Sequence, residues 1–158
     1  LTPQEALKKL RLPEGFRATL FAAEPDVQQP IGMTFDSRGR LWVAENYTYA
    51  ESKVNFDLTQ SDRIVILEDA NNDGKHDKRT VFWDKGKRLT SVEVGFGGVW
   101  ALCAPYLYFI PDRDGDDKPD GEPIVMLDGW NDSAVRHNIV NGLKWGPDGW
   151  LYGRHGIM

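Results

Sequence analysis

Two short loops hold most of the hard-ligand chemistry in this sequence. The first is Asp69-Ala-Asn71-Asn-Asp73-Gly74-Lys-His-Asp77 and the second is Asp112-Arg-Asp114-Gly-Asp116-Asp117-Lys-Pro-Asp120. In each, oxygen side chains stand at positions 1, 3, 5 and 9, and Gly74 holds position 6 of the first. Alternating carboxylates with a sharp turn between them suit a hard, oxygen-seeking cation, calcium above all. Asp69, Asn71, Asp73 and Asp77 are therefore candidate ligands of one ion, and Asp112, Asp114, Asp116 and Asp120 of another. Asp117 replaces the glycine in the second loop, and Asp tolerates the left-handed backbone better than most residues. The alternative is a solvated turn in which Asp and Asn cap backbone groups without metal. Either way the role would be structural, since neither loop leaves an evident open position for a substrate.

A second kind of chemistry is concentrated near Arg136-His137-Asn138 and Arg154-His155. An imidazole titrates near neutral pH, which suits a histidine to proton transfer in general. Arg136, Asn138, Arg154 and His155, with Glu45 and Asn46, are candidates for binding a substrate or cofactor. Each also has a plainer reading as a solvated or backbone-bonded polar residue.

The elements that must position these groups repeat. The acidic loops lie 43 residues apart, and their flanks superpose: Arg63–Leu67 falls on Tyr106–Ile110, and Val81-Phe82 on Ile124-Val125. A second motif has an apolar residue, a polar turn ending in Gly, and a strand bearing an aromatic. It occurs at Phe35–Val43 and Trp145–Gly153, with a shortened form at Val94–Ala101. Gly at such a turn takes positive φ without steric cost. Each unit thus reads as two hairpins, and a period of roughly 40 to 50 residues built from short strands marks a β-propeller blade.

The expected fold is all-β. A short N-terminal helix has Thr2 as N-cap, Pro3 at its first position and Glu5 placed for a capping box. A lone strand is expected at Phe16–Ala23, so that residues 1–30 supply a helix and a closing strand. Blade one spans 31–84, with an insertion between Tyr47 and Asp62; blade two spans 89–128, and blade three begins at 139. That amounts to about two and a half four-stranded blades of a larger ring. The remaining blades are expected in a longer protein; the alternative is closure by association of two copies.

Composition narrows the class. The formal net charge is −5, and the basic residues are scattered, against the positive stripe of a nucleic-acid surface. No apolar run reaches the length of a membrane span, and no signal peptide is visible at the Leu1 terminus. The single cysteine, Cys103, sits in the apolar stretch Val99–Leu107 and reads as a buried core residue. Trp42, Trp100 and Tyr152 read as packing residues, whereas Trp130, in a polar segment, is the exception.

These patterns support resemblances. The strand-flanked loops, with an acid at position 9 and no Glu at position 12, resemble the calcium-binding hairpins of integrin-type propellers. His137, Gly142-Leu143 and Gly146-Pro147-Asp148-Gly149-Trp-Leu151-Tyr152 resemble a stretch of the soluble quinoprotein sugar dehydrogenases, six-bladed propellers that bind pyrroloquinoline quinone. There the equivalent of His137 would be the catalytic base. Here the step from His137 to Leu143 is one residue longer.

A wider resemblance covers nearly the whole chain: Leu12–Phe16, Ala23–Pro25, Gly39–Tyr47, Arg79–Phe82, Ser91–Gly95 and Arg136 through Gly156 are similar to large secreted bacterial proteins labelled membrane-bound dehydrogenases. It implies a periplasmic or extracellular setting, a sugar or other alcohol as substrate, and a c-type haem domain beyond this sequence. A propeller that recognises a glycan or a protein without turnover is the alternative.

Overall fold

The computed structural model describes residues 1–50, 55–130 and 140–155. Its one helix, α1 (Pro3–Lys9), begins as the sequence indicates: Thr2 Oγ1 accepts from the Glu5 amide, and Glu5 reaches back to the Thr2 amide. Acid in its first turn and lysines in its last complement the helix dipole.

The rest is antiparallel sheet. β1 (Pro30–Phe35), β2 (Leu41–Glu45), β3 (Asp62–Glu68) and β4 (Lys78–Gly86) pair in chain order as sheet one. β5 (Leu89–Val94), β6 (Gly98–Cys103), β7 (Tyr106–Pro111) and β8 (Ile124–Leu127) repeat that order as sheet two. β9 (Asn141–Trp145) and β10 (Leu151–Arg154) form a two-stranded third sheet. The apolar stretch Val99–Leu107 is two strands, because Ala104 and Pro105 turn the chain between them. Cys103, at the end of β6, is buried as expected.

Strand alternation gives sheets one and two apolar residues on both faces, and their central strands are covered on each, whereas β1 and β8 keep exposed apolar side chains. Trp42, Ala44, Ile64, Ile66 and Phe82 of sheet one pack against Val92, Val99 and Ala101 of sheet two. Leu102 and Leu107, on the far face of sheet two, meet Leu143 and, at the margin, Trp100 and Leu151. The first strands of successive sheets lie beside one another, β1 by β5 and β5 by β9. Close approach is possible because Gly32 carries no side chain: a Cβ there would stand 3.3 Å from Ser91 Cα.

The expected lone strand at Phe16–Ala23 does not form. That segment joins no ladder. Phe21, Ala22 and Val27 instead lie against Val43, Val65 and Leu67, on the face of sheet one opposite to sheet two. Its polar anchor is the Phe21 carbonyl, which accepts from the His76 amide at 3.2 Å and lies 3.0 Å from His76 Nδ1. Burial of an apolar face, rather than edge pairing, holds it.

Candidate ligand cleft and acidic loops

The two acidic loops, joining β3 to β4 and β7 to β8, have one backbone design. Position 4 takes positive φ in both (Asn72 60°, Gly115 70°), and so does position 6 (Gly74 88°, Asp117 69°). Asp117 thus adopts the left-handed conformation that glycine provides in the first loop. The internal bonds repeat as well. The position 9 amide donates to the carbonyl before the loop, Asp77 to Glu68 and Asp120 to Pro111. The position 9 carboxylate accepts from the position 2 amide, Ala70 at 2.9 Å and Arg113 at 2.7 Å. Position 5 amides donate to position 3 side chains, and position 7 amides to position 5 carboxylates.

The loops differ in how their carboxylates gather. Asp112, Asp114 and Asp116 each place an oxygen within 4.8 Å of the others. Asp112 Oδ1 is buried with no hydrogen-bond partner. Burial, then repulsion from Asp117 and Asp116, hold the Asp112 carboxyl above its ordinary range, although backbone amides oppose them. In the first loop Asp69 accepts from Asp73 and Gly74, and Asp77 from Ala70 and Asn71, as Asp112 and Asp120 accept backbone amides in the second, but its carboxylates do not gather in the same way.

A cleft of about 540 Å³ opens where the first strands of the three sheets meet. Gly32, Ser91 and Gly142 of β1, β5 and β9 line it, with Asn46 and Tyr49 from the loop after β2 and Arg154 from β10. Ser91 Oγ accepts from the Leu143 amide at 2.9 Å, and Thr90 Oγ1 donates to the Val140 carbonyl at 2.6 Å. Gly142, at φ 67°, leaves room for a cation: a Cβ there would lie 2.8 Å from Arg154 Nε.

Of the expected binding residues, the structure brings Asn46 and Arg154 to this one cleft. Asn46 is also fixed from behind, because its amide donates to the Leu89 carbonyl and accepts from Thr48 Oγ1 and the Tyr49 amide. His155 lines a smaller adjoining cavity of about 190 Å³ with Trp130, sharing Leu143 and Arg154 with the cleft.

Glu45 is a correction. It is fully buried and accepts from the Gln28 amide, Tyr47 Oη and Arg79 Nη2 at 2.9, 2.9 and 3.2 Å, away from the cleft. Glu45, the last residue of β2, turns to Gln28 and Arg79, whereas Asn46, in the loop that follows, lines the cleft. The role of Glu45 is to bind the N-terminal segment to sheet one. Arg136, His137 and Asn138 lie outside the described residues.

Two buried charge groups escaped the sequence reading. Arg40 joins Asp36 at 2.8 Å within its own turn and Asp117 at 2.7 and 2.8 Å in the second acidic loop, while Arg38 Nη2 donates to the Gly115 carbonyl. Buried Glu93 accepts from Thr34 Oγ1 at 3.1 Å and Lys144 Nζ at 3.0 Å. Thr34, Glu93 and Lys144 each precede the last residue of the first strand in their sheet, so aligning the repeats would have exposed that group. Nothing local foretells Arg40 with Asp117.

Among the described residues, no helix is long and apolar enough to cross a membrane. No curated protein and no solved structure matches the chain. A family model described as a domain of unknown function (DUF7133) matches residues 2–158, and the chain belongs to that family.

Proposed function

We propose that this chain is part of a calcium-stabilised β-propeller whose mouth binds a small polyhydroxylated ligand, a sugar or similar alcohol. The observation that carries this reading is the convergence of the first strands of the three repeated sheets on one cleft, with Ser91, Asn46 and Arg154 in its wall. Successive antiparallel sheets stacked face to face, with their first strands side by side, are the arrangement a propeller needs. Concave sites with a few convergent polar groups are the usual places for small ligands.

Calcium fits the second loop on the chemistry of its donors. Asp112, Asp114 and Asp116 are gathered, and the buried Asp112 Oδ1 lacks the partner that a cation would supply. Asp120, tied to the Arg113 amide, would support the loop backbone from position 9. Side chains of both loops, Asp69, Asn71, Asp73 and Asp77 as well as those of the second, accept backbone amides, so the second loop is the stronger site for its gathered carboxylates and its unpartnered Asp112 Oδ1.

Pyrroloquinoline quinone does not fit the described cleft by itself. Its several carboxylates call for clustered cations, and Arg154 is the one cation lining the cleft among the described residues. A haem c partner would likewise have to come from outside this sequence. The oxidation reading keeps one support, that His137 lies four residues before Asn141, which lines the cleft. That spacing leaves an imidazole within chain reach of a bound hydroxyl. Recognition of a glycan without turnover is the second reading, and it needs nothing beyond the groups already in the wall.

Thermal unfolding of the full protein tests the proposal, with calcium or chelator and with a neutral sugar panel. Saturating calcium at about 100 times its dissociation constant should add about 2.7 kcal/mol, and Asp112→Asn should abolish most of that gain. A sugar should raise the melting temperature further in a manner lost in Arg154→Gln. No calcium response, or a sugar response indifferent to Arg154, would overturn the respective half. Oxidation of the bound sugar with reduction of an added artificial electron acceptor, lost in His137→Gln, would separate the dehydrogenase from the recognition module.

A further inference from the structure

All three sheets break register at the level of the cleft. The shift falls between Pro30 and Gly32 in the β1–β2 pair, between Leu89 and Ser91 in the β5–β6 pair, and between Tyr152 and Arg154 in the β9–β10 pair. Across each shift the first strand carries one residue more than its partner. A bulge of this kind bends its strand and re-aims the side chains beside it. Ile31, Thr90 and Gly142 lie within these three shifts, and all three line the cleft.

The residues paired at the edge of each shift share a place but not a direction. Glu45, Cys103 and Arg154 stand opposite Pro30, Leu89 and Asn141. Glu45 and Cys103 are buried, whereas Arg154 is exposed and lines the cleft. Gly142 makes the difference. A Cβ on it would stand 2.8 Å from Arg154 Nε, 3.1 Å from Nη2 and 3.4 Å from Cζ, so the guanidinium lies against bare backbone where the other two sheets carry Ile31 and Thr90.

Charge points the same way. The chain has 24 Asp and Glu against 19 Lys and Arg, yet among the described residues no carboxylate lines the cleft. The Arg154 guanidinium has no ionic or hydrogen-bond partner among the described residues. Its planar fork of donors matches the two oxygens of a carboxylate. One such fork suits a ligand with one carboxylate.

We infer that the ligand of the cleft is an acidic sugar, a uronate whose single carboxylate pairs with Arg154 and whose ring lies along the wall formed by the three bulges. The inference rests on the sugar-binding reading of the cleft and narrows it; it is independent of calcium and of oxidation.

Calorimetric titration of the full protein with glucuronate and galacturonate, beside glucose and galactose, tests it. Each acid differs from its neutral counterpart only in the carboxylate. At least one acid should bind about tenfold or more tightly than its counterpart, and added sodium chloride should shrink that preference because the guanidinium is exposed. Arg154→Gln should erase the preference, costing the acid about tenfold more than it costs the neutral sugar. Arg154→Lys keeps the charge without the fork and should retain part of it. Gly142→Ala puts a methyl group where the guanidinium lies and should lower the preference too, its melting temperature showing whether it folds. Equal binding of acid and neutral sugar, a preference unchanged in Arg154→Gln, or tighter binding of glucose 6-phosphate than of glucuronate would overturn the inference and leave the sugar cleft standing. If none of the four sugars binds, the cleft reading fails and the inference falls with it.

Discussion

Arg40 grips Asp117 with both ends of its guanidinium, Nη1 2.7 Å from Oδ2 and Nη2 2.8 Å from Oδ1, across the boundary between two sheets and 77 residues of chain. Both side chains are nearly out of solvent, 7% and 13% exposed. Bidentate pairing of this kind fixes orientation as well as distance. It sets the second acidic loop against the turn between β1 and β2, so the loop's backbone is held from outside as well as by its own bonds.

Arg40→Met should cost about 3 to 5 kcal/mol, since it leaves Asp36 and Asp117 as buried carboxylates without their counter-charge. Denaturant unfolding of the full protein measures the loss. Arg40→Lys should recover only part of it, because an ammonium cannot repeat the fork. A loss within about 0.5 kcal/mol, the range of an ordinary surface substitution, would mean that the pair is not formed in solution.

The same pair sets an acid limit on stability. The Arg40 hydrogen bond, in first place, holds the Asp117 carboxyl below its ordinary value of 3.8 despite partial burial. A carboxyl with a depressed folded-state pKa stabilises fully above its unfolded value, and the contribution drains as pH falls through the folded one. Melting temperature should therefore hold steady from neutral pH to about pH 4 as far as this group is concerned, then fall. In Asp117→Asn that acid-side decline should be shallower, which a pH series of thermal melts would show.

Gly98→Ala probes packing rather than charge. A Cβ at Gly98 would stand 2.4 Å from the Ile110 carbonyl oxygen and 2.7 Å from two carbons of the Phe109 ring. The backbone oxygen belongs to the paired strand and cannot step aside, so the change should cost about 3 kcal/mol. Gly39→Ala, with open space around it but φ at 78°, should cost less, about 1 kcal/mol from backbone strain alone. Equal losses at the two sites would contradict the close approach of β6 and β7.

Repetition made most of the sheet order readable. The 43-residue offset between acidic loops identified β3 with β7 and β4 with β8 before any geometry was known, and the Gly-ended turns identified the partners of β1 and β2. Even the aspartate that broke the pattern was informative, since Asp117 takes the left-handed backbone of Gly74. Single segments misled for physical reasons. Phe16–Ala23 has the composition of a strand, but its Phe21 and Ala22 cover a face of sheet one without pairing. Glu45 and Asn46 stand at the end of β2, the place matching Arg154 and His155 in the third sheet, yet Glu45 turns to Gln28 and Arg79 while Asn46 lines the cleft. The links between repeats, such as Arg40 with Asp117, carry no local signature at all.

The Thr34, Glu93 and Lys144 contact gives the repeats an order. These residues hold matching places in three successive sheets, yet one is a neutral hydroxyl, one an acid and one a base. Were every repeat the same at that position, like charges would meet at each junction, or nothing polar would meet at all. With three different residues, each sheet carries an address that only its proper neighbours satisfy. Replacing the third repeat by a copy of either other would leave Glu93 buried without its cation, so the make-up of the units is written into the place where they touch.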